Sequence, residues 1–253
     1  MINYFHLLII FFVVSFVLFF FLYLYRKRGK KKYGIVMTCF NRPEYLSRTL
    51  ESLKNSDLSD TIICIVDDNS SDINTQQLIN DFEVSDKSCE IIKLHNHNNI
   101  GGCLSLKRGI DEIKDRCHYL CNIDSDVFVK YNWLTELENV FIQGKEVFQT
   151  DINITSGFNC TTTCGHKIIH EYPTFYTKKT IGGINMFFNQ ETYDNIINPV
   201  LSTNSRKWDW DICSKATYLE CPITITKPSV IQHIGIHGMF SWGNNRYDYA
   251  EDF

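Results

Sequence analysis

Residues 33–141 alternate between short apolar runs and stretches in which apolar side chains return every three or four positions. The apolar runs predict four strands, which are Tyr33–Thr38, Thr61–Val66, Glu90–Leu94 and His118–Ile123. The intervening stretches predict helices over 42–53, over Asn74–Phe82 and around Leu106, Ile110 and Ile113, with Asn41 as the first N-cap. Strands that alternate with helices are typical of βαβ units, so the pattern predicts an α/β fold with a mostly parallel central sheet and flanking helices.

The second half of the chain is less regular. Its apolar runs predict strands at Asp151–Thr155, Thr180–Phe188 and Val230–Ile234, and its periodic stretches predict helices at Gln190–Ile197 and Asp209–Thr217. We find no internal repeat and no low-complexity linker. Residues 33–253 are therefore predicted to form a single domain.

Residues 4–25 form an apolar segment with no acidic or basic side chain apart from one histidine. This segment is long enough to cross a bilayer as a helix, and the run RKRGKKK follows it directly. The sequence thus predicts an N-terminal membrane anchor with a basic juxtamembrane segment over residues 1–32. The positive-inside rule places the following domain in the cytosol, although a lumenal, Golgi-type placement stays open.

Charge and cysteine content change this picture little. The formal net charge of −4 argues against a nucleic-acid-binding protein. Several of the ten cysteines, such as Cys39 and Cys64, fall within predicted core strands, which is typical of reduced thiols in a cytosolic domain.

Polar residues follow each of the four predicted parallel strands. These exits carry Thr38 to Arg42, Asp67 to Asn69, Asn98 to Gly101, and the triplet Asp124–Ser125–Asp126. In open α/β sheets, ligands bind beyond the carboxyl ends of the strands, so these side chains are expected to line one site. Two aspartates one residue apart repel each other unless a cation binds between them or next to them, and their oxygens suit Mn²⁺ or Mg²⁺. Taken alone, the triplet is more typical of a solvated, Asp-rich turn.

Four segments in this order, IVMTCFNRPEYLSRTLESL, IICIVDDNSSD, NNIGGCLSLKRGI and YLCNIDSDVFV, resemble the family 2 glycosyltransferases of the GT-A fold. The chain is also similar to the N-acetylglucosaminyltransferase I group. The resemblance covers residues 33–140 well and the remainder through two shorter motifs. It implies a Rossmann-like GT-A fold and transfer of a sugar from a nucleoside diphosphate donor.

The resemblance also implies roles for the nucleotide-side residues. Thr38 and Arg42 match the loop that contacts the nucleotide and its diphosphate, and a guanidinium suits phosphate oxygens. Asp68, with Asp67 beside it, matches the acid that accepts a hydrogen bond from the base, usually uracil. Asn99 and Gly101 match the loop under the ribose and phosphates. The chain departs from the family at 105–107, where Ser-Leu-Lys replaces the common Ala-Arg-Asn.

For the acidic triplet, the resemblance implies that Asp126 ligates the metal directly. Asp124 would hold the ribose or a metal-bound water, next to Ser125 in the nucleotide-sugar site. A later histidine is expected to close the metal site. His233 matches that position, and His237 is the alternative.

Residues 206–216, RKWDWDICSKA, match the family's helix that carries the general base for the acceptor hydroxyl. The alignment puts the base at Asp209, with Asp211 as the alternative, and a single base fits an inverting reaction. Trp208 and Trp210 are candidates for stacking on sugar rings. The pair Gly182–Gly183 matches the family's Gly-Gly before the acceptor site, where small residues allow close approach.

A rival cluster contains ligand types that zinc prefers, namely Cys160, Cys164, His166 and His170. Its spacing is tighter than that of the common zinc fingers. A loop of free thiols, or a disulfide if the domain is lumenal, is the other interpretation.

The sequence therefore predicts a membrane-anchored glycosyltransferase that uses Mn²⁺ or Mg²⁺ and a nucleoside diphosphate sugar, with UDP expected as the nucleotide. The acceptor would be a hydroxyl of a glycan, glycoprotein or glycolipid, and lipid would be a partner only through the anchor. Two alternatives are a non-catalytic nucleotide-sugar-binding membrane protein and a nucleotidyltransferase. The second would need a Gly-rich, Lys-bearing loop after the first strand, and TCFNRPEY lacks one.

Overall fold

The computed structural model describes residues 29–161, 165–237 and 248–253. The strands are β1 Lys31–Cys39, β2 Thr61–Asp67, β3 Glu90–His95, β4 Cys117–Asp124, β5 Val127–Val129, β6 Ile154–Ser156, β7 Ile168–Glu171, β8 Phe175–Lys178, β9 Asn185–Asn189, β10 Ile223–Thr226 and β11 Ile231–His233. The helices are α1 Pro43–Lys54, α2 Ile73–Asp81, α3 Gly102–Ile113, α4 Trp133–Phe148 and α6 Trp208–Tyr218. Between the last two lies α5, a helical run made of Gln190–Thr192, the π-helical Tyr193–Ile197 and Asn198–Leu201.

Nine strands of the described residues form one sheet in the order β3-β2-β1-β4-β9-β6-β10-β8-β7. The first four are parallel, with Cys39 opposite Asp67 and Thr38 opposite Asp124. This confirms the predicted α/β fold and brings the polar strand exits to one edge. Beyond β4 the sheet is mixed, because β9 runs antiparallel to both β4 and β6. A separate ribbon pairs β5 with β11.

Alternate side chains of β1 enter two hydrophobic cores, one on each face of the sheet. Ile35 and Met37 pack in the core that also holds Leu46, Leu50 and Leu53 of α1. Val36 packs in the opposite core with the buried face of α3, which includes Leu106, Ile110 and Ile113. Each buried aliphatic side chain contributes about 1.5–3 kcal/mol, so both helix layers are held firmly against the sheet.

The expected N-cap of α1 is wrong by one residue. The helix begins after Arg42, and both Asn41 and Arg42 have left-handed backbone conformations, with φ of 55° and 63°. The Asn41 side-chain oxygen instead accepts hydrogen bonds from the backbone amides of Ser71 and Asp72. Asn41 therefore joins the exits of β1 and β2, a contact between distant segments that local sequence does not reveal.

The second half departs further from the sequence pattern. The predicted strand Thr180–Phe188 is a loop as far as Ile184 and a strand only from Asn185. Helix α4 and strands β5, β7, β8 and β10 were not predicted. These strands are three or four residues long, too short for a clear alternating pattern.

The predicted anchor over residues 4–25 lies outside the described part of the chain. Within the described ranges, no helix is long and apolar enough to cross a membrane. Residues Lys31–Phe253 form a compact unit.

Candidate active site

The carboxyl ends of β2 and β4 carry Asp67, Asp68, Asp124 and Asp126, and they form the acidic edge of the sheet. Asp126 lies in the turn between β4 and β5, and only 5% of its surface is exposed. Its Oδ2 is 2.8 Å from Nη1 of Arg42 and 3.4 Å from Nε2 of His233. His233 reaches it because β11 pairs with β5, which places His233 opposite Val127. Two segments that lie far apart in sequence thus meet on one carboxylate.

Charges around Asp126 set the protonation of the site. Burial alone would raise the pKa of Asp126, but His233 and Arg42 hold it below its usual range. Asp124 differs, because burial first and then the negative charge of Asp126 raise its pKa to about 7. Burial by itself lowers the pKa of His233, yet hydrogen bonding to Asp126 leaves it raised overall.

The loop after β11 closes over Asp126. A Cβ atom at Gly235 would lie 2.0 Å from Asp126 Oδ2 and 2.7 Å from His233 Nε2, so only glycine fits there. Two side chains of the α1 region hold the end of this loop. Arg42 Nη2 donates to the carbonyl of His237, and the amide of His237 donates to the Tyr45 hydroxyl. The alternative metal ligand, His237, therefore contributes backbone contacts here.

On the side of the edge that is predicted to bind the nucleotide, called the nucleotide side, the two acids after β2 organise neighbouring loops. Asp68 accepts hydrogen bonds from the amides of Ile100 and Gly101, each at 2.8 Å, and from the side chain of Asn96. Asp67 accepts from the amide of Ser70 and lies 3.3 Å from Nδ1 of His95. Both acids are almost fully buried, so their oxygens hold the loops that would surround a nucleotide.

The other predicted nucleotide-side residues lie along the same edge. Thr38, the last residue but one of β1, lies opposite Asp124, and the Ser125 carbonyl accepts a hydrogen bond from Thr49 on α1. Asn99 is exposed in the loop before Gly101, whose φ is 87°. Their roles toward a nucleotide stay predictions.

The residues that depart from the family motif have other partners. Ser105 is buried and accepts a hydrogen bond from Asn96, and Lys107 forms an ion pair with Asp111. Arg108, which sequence reasoning missed, donates to the carbonyl of His95 and to the side chain of Asn96. The arginine that contacts the end of β3 is therefore Arg108, one residue after the segment 105–107 in which the family carries its arginine.

On the side that is predicted to bind the acceptor, called the acceptor side, α6 begins at Trp208 and carries Asp209 in its first turn. Burial raises the pKa of Asp209, partly offset by hydrogen bonds from the backbone amides at Trp210 and Gly183. Gly183 packs under Trp208, since a Cβ there would lie 2.6 Å from the indole ring. Asp211 is exposed on the same helix. Asp209 therefore lies closer than Asp211 to the glycine pair.

Three residues that the sequence analysis missed hold the loop around Gly183. The Cys213 thiol receives a hydrogen bond from the amide of Ile181 and donates one to its carbonyl. Asn122 of β4 donates to the Gly183 carbonyl and accepts from the amide of Met186. Asn185 donates to the carbonyl of Asn122 and accepts from the amide of Gly157. An asparagine in the middle of an apolar strand was the available signal for Asn122.

The zinc interpretation gains no support from the described residues. Cys164 lies outside them. His166 Nδ1 is 2.8 Å from the Thr180 hydroxyl, and His170 lies on the exposed strand β7. Across the described ranges, no three side chains of His, Cys, Asp or Glu are arranged to hold an ion on their own.

The same finding limits the acidic edge to a partial metal site. Asp126 and His233 present an oxygen and a nitrogen 3.4 Å apart. Burial is the main reason that the pKa of Asp124 is raised, and a cation would relieve the repulsion from Asp126 that adds to it. Mg²⁺ is usually held by one or two carboxylates together with substrate phosphates. These residues fit a divalent cation that takes its remaining ligands from a bound diphosphate.

The parallel β3-β2-β1-β4 sheet places this protein among the open α/β folds, which bind ligands beyond the carboxyl ends of their strands, where this chain carries its acids. The family model described as Glycosyl transferase family 2 matches residues 34–200, well over half of the chain. The chain therefore belongs to glycosyl transferase family 2, as the sequence motifs predicted. Among curated proteins, no sequence match was found.

Solved structures share the fold at low identity. TarS 1–349 of S. aureus in complex with UDP-GlcNAc matches with a TM-score of 0.54 and 15% identity, covering 86% of this chain and 57% of that one. GalNAc-T7 with UDP, GalNAc and Mn²⁺ matches with a TM-score of 0.59 and 14% identity, covering 84% and 45%. This chain thus spans less than two thirds of either protein.

Proposed function

We propose that this protein is a metal-dependent glycosyltransferase that transfers a sugar from a UDP-linked donor to an acceptor hydroxyl with inversion. The observation that carries the proposal is the convergence of Arg42, Asp126 and His233 at the sheet edge that also presents Asp124. Family membership supports the reaction class. The neighbours solved with UDP-GlcNAc and with UDP, GalNAc and Mn²⁺ support the choice of donor and cation.

Asp126 and His233 would hold the divalent cation, with Asp124 close to it. A cation at this position neutralises negative charge on a diphosphate leaving group. Arg42 is placed for the same task, since its guanidinium already lies 2.8 Å from Asp126 and is suited to phosphate oxygens. Thr38, Asn99 and Gly101 border the space for the nucleoside. Asp67 and Asp68 keep the surrounding loops in place.

Asp209 is the proposed general base. Its partly buried carboxylate lies against the Gly183 amide, and its raised pKa makes it a better proton acceptor than an exposed aspartate. It would remove the proton of the acceptor hydroxyl as that oxygen attacks the anomeric carbon. A single base on the side opposite the leaving diphosphate gives an inverted product. The acceptor is a hydroxyl of a glycan, glycoprotein or glycolipid.

The membrane placement rests on the sequence alone. The protein is proposed to be a single-pass membrane protein, anchored through residues 4–25, with its catalytic domain in the cytosol. Protease treatment of intact membranes tests this placement. A domain that resists the protease until detergent opens the membranes would contradict it.

The direct test is a donor screen with the full-length protein. UDP or GDP release is measured for a panel of nucleotide sugars, with Mn²⁺ and with a chelator. We expect UDP release from at least one UDP-sugar, lost on chelation and in Asp126→Ala. The matched control is Asp81→Ala, which removes an exposed acid at the end of α2.

Three outcomes would count against the proposal. Full activity of Asp126→Ala would remove the metal assignment. UDP binding without hydrolysis or transfer for any donor would favour a non-catalytic binding protein. Release of pyrophosphate from a nucleoside triphosphate would favour a nucleotidyltransferase.

A further inference from the structure

His166 lies on the acceptor side of the site, although its spacing from neighbouring Cys and His residues suggested a zinc ligand. Only 6% of its surface is exposed, and its Nδ1 is 2.8 Å from the Thr180 hydroxyl. Its ring centre is 5.1 Å from that of Trp210, with an angle of 37° between the rings. Nε2 lies 3.9 Å from the position that a Cβ at Gly182 would take. His166 therefore contacts the helix and the loop that carry Asp209 and the glycine pair.

Nε2 of His166 has no hydrogen-bond partner among the described residues. It is nevertheless not one of the fully enclosed polar side-chain atoms that lack a partner, so solvent or a ligand can reach it. Water can satisfy this atom in the free protein, and a hydroxyl of a ligand can take the place of that water. Its position beside Gly182 makes a bound substrate the natural partner.

Trp210 supplies the complementary apolar surface. It stands one residue after Asp209, and 45% of its surface is exposed, which is unusual for so large a ring. Small-molecule sites combine such aromatic surfaces with a few placed polar groups. A pyranose ring has an apolar C–H face and equatorial hydroxyls, so an indole next to an imidazole matches both features.

The charge state of His166 suits this role. Burial first, and then the nearby Lys178, lower its pKa. The ring is therefore neutral near pH 7, with one nitrogen as donor and the other as acceptor. In either tautomer it makes one hydrogen bond with Thr180 and offers a second to a sugar hydroxyl.

We propose that His166 and Trp210 bind a pyranose ring of the acceptor, with His166 Nε2 bonded to one of its hydroxyls and Trp210 stacked on its face. This assignment rests on the proposed function of Asp209 as the base, and it narrows the acceptor class to glycans and glycoconjugates that present a pyranose to Asp209.

The test uses the full-length protein with UDP and Mn²⁺, titrated with a panel of p-nitrophenyl pyranosides and followed by tryptophan fluorescence. The variants are His166→Ala, Trp210→Ala and the control His170→Ala, an exposed histidine on β7. We expect at least one pyranoside to bind. Its affinity should fall about fivefold in His166→Ala, which removes one hydrogen bond. Affinity should also fall in Trp210→Ala, which removes the stacking surface. Because Trp210→Ala removes a fluorophore, its affinity is measured by saturation-transfer NMR. His170→Ala should match wild type.

A second measurement uses the wild-type protein and therefore tests the proposal even if His166→Ala fails to fold. In wild type with ¹⁵N-labelled histidine, the Nε2 resonance of His166 should move on pyranoside binding, which a purely structural histidine would not show. An unmoved resonance would overturn the proposal, as would unchanged pyranoside affinity in His166→Ala or a panel without any binding.

The donor sugar is the alternative ligand for this surface, and hydrolysis of UDP-GlcNAc without acceptor distinguishes the two. Under the proposal, the KM of this hydrolysis stays at the wild-type value in His166→Ala, whereas a raised KM would assign His166 to the donor. If pyranosides bind through His166 but no UDP-sugar is turned over, the acceptor surface stands and the proposed catalysis falls.

Discussion

The nucleotide side and the acceptor side of this edge are built by different means. On the nucleotide side, the loops continue directly from parallel strands, and their acids bind backbone amides within that region, as Asp68 does at Ile100 and Gly101. On the acceptor side, the loop before Gly183 is held by side chains from other elements, among them Cys213 and Asn122. Strand topology sets the first arrangement, whereas the second depends on individual long-range contacts.

The two sides also differ in charge. Asp126 is paired with Arg42 and His233, and its low pKa keeps it ionised. Asp209 has a raised pKa and lies beside tryptophans and glycines. Under the proposed function, the first side would bind a cation and a diphosphate, and the second would accept a proton from the acceptor hydroxyl. Variants on the two sides should fail in different assays, which is the basis of the predictions that follow.

The largest effect is expected from Asp209→Asn, which removes the base and keeps the shape. Sugar transfer should fall by about 10²–10⁴-fold, the usual contribution of general base catalysis. UDP affinity should stay at the wild-type value because the nucleotide side is untouched. Transfer rates and UDP binding are measured in parallel, with Asp211→Asn as the exposed control. A larger loss in the control would move the base to Asp211.

Gly235→Ala should have the opposite pattern to Asp209→Asn, because it disturbs the cation site at Asp126 and leaves the base in place. The added methyl would lie 2.0 Å from Asp126 Oδ2, so the carboxylate or the loop must move. Such overpacking costs about 1–3 kcal/mol, and we expect Mn²⁺ affinity in the presence of UDP to fall by about tenfold or more. Electron paramagnetic resonance of free Mn²⁺ measures this. Gly29→Ala, which meets no atom within 4 Å, should bind as wild type does.

The raised pKa of Asp209 gives a pH dependence. A base works only when ionised, so kcat/KM should fall by about tenfold per pH unit below its pKa. The midpoint should lie above the ordinary aspartate value of about 3.9, because burial favours the protonated form. A pH profile of transfer at saturating Mn²⁺ and UDP-sugar measures it. A midpoint at or below the ordinary value would show that burial does not tune this carboxylate.

Gly183→Ala tests how closely the acceptor loop and α6 must approach. Its Cβ would lie 2.6 Å from the Trp208 ring, whereas the Cβ of Gly182→Ala would meet only His166, at 3.9 Å. Displacement of Trp208 should also move Asp209, the next residue on α6. We expect an about fivefold lower transfer rate for Gly183→Ala, corresponding to about 1 kcal/mol, and a smaller loss for Gly182→Ala. Equal rates would mean that the indole moves freely.

The difference between the two sides also explains which parts of the fold and of the site could be predicted from the sequence. The parallel strands and the acids after them follow from hydrophobic periodicity, since chain direction alone brings Thr38 opposite Asp124. The motif resemblance supplied His233 and Asp209. No local sequence pattern predicts that Cys213 bonds to Ile181 or that Gly235 must lie against Asp126, because each pair is far apart in sequence. His166 shows the same limit, because ligand-like spacing suggested zinc while the fold gave it Thr180 as a partner.

The smallest expected effect belongs to Cys213, whose thiol holds the backbone of Ile181 by both its amide and its carbonyl. Cys213→Ala removes both bonds at a fully buried position, so we expect a loss of about 1–3 kcal/mol in the free energy of unfolding by urea. Cys213→Ser keeps a donor and an acceptor and should lose less. Transfer should fall no more than about threefold in either variant, because Asn122 still donates a hydrogen bond to the Gly183 carbonyl. A loss as large as that of Gly183→Ala would show that the thiol, and not β4, positions the acceptor loop.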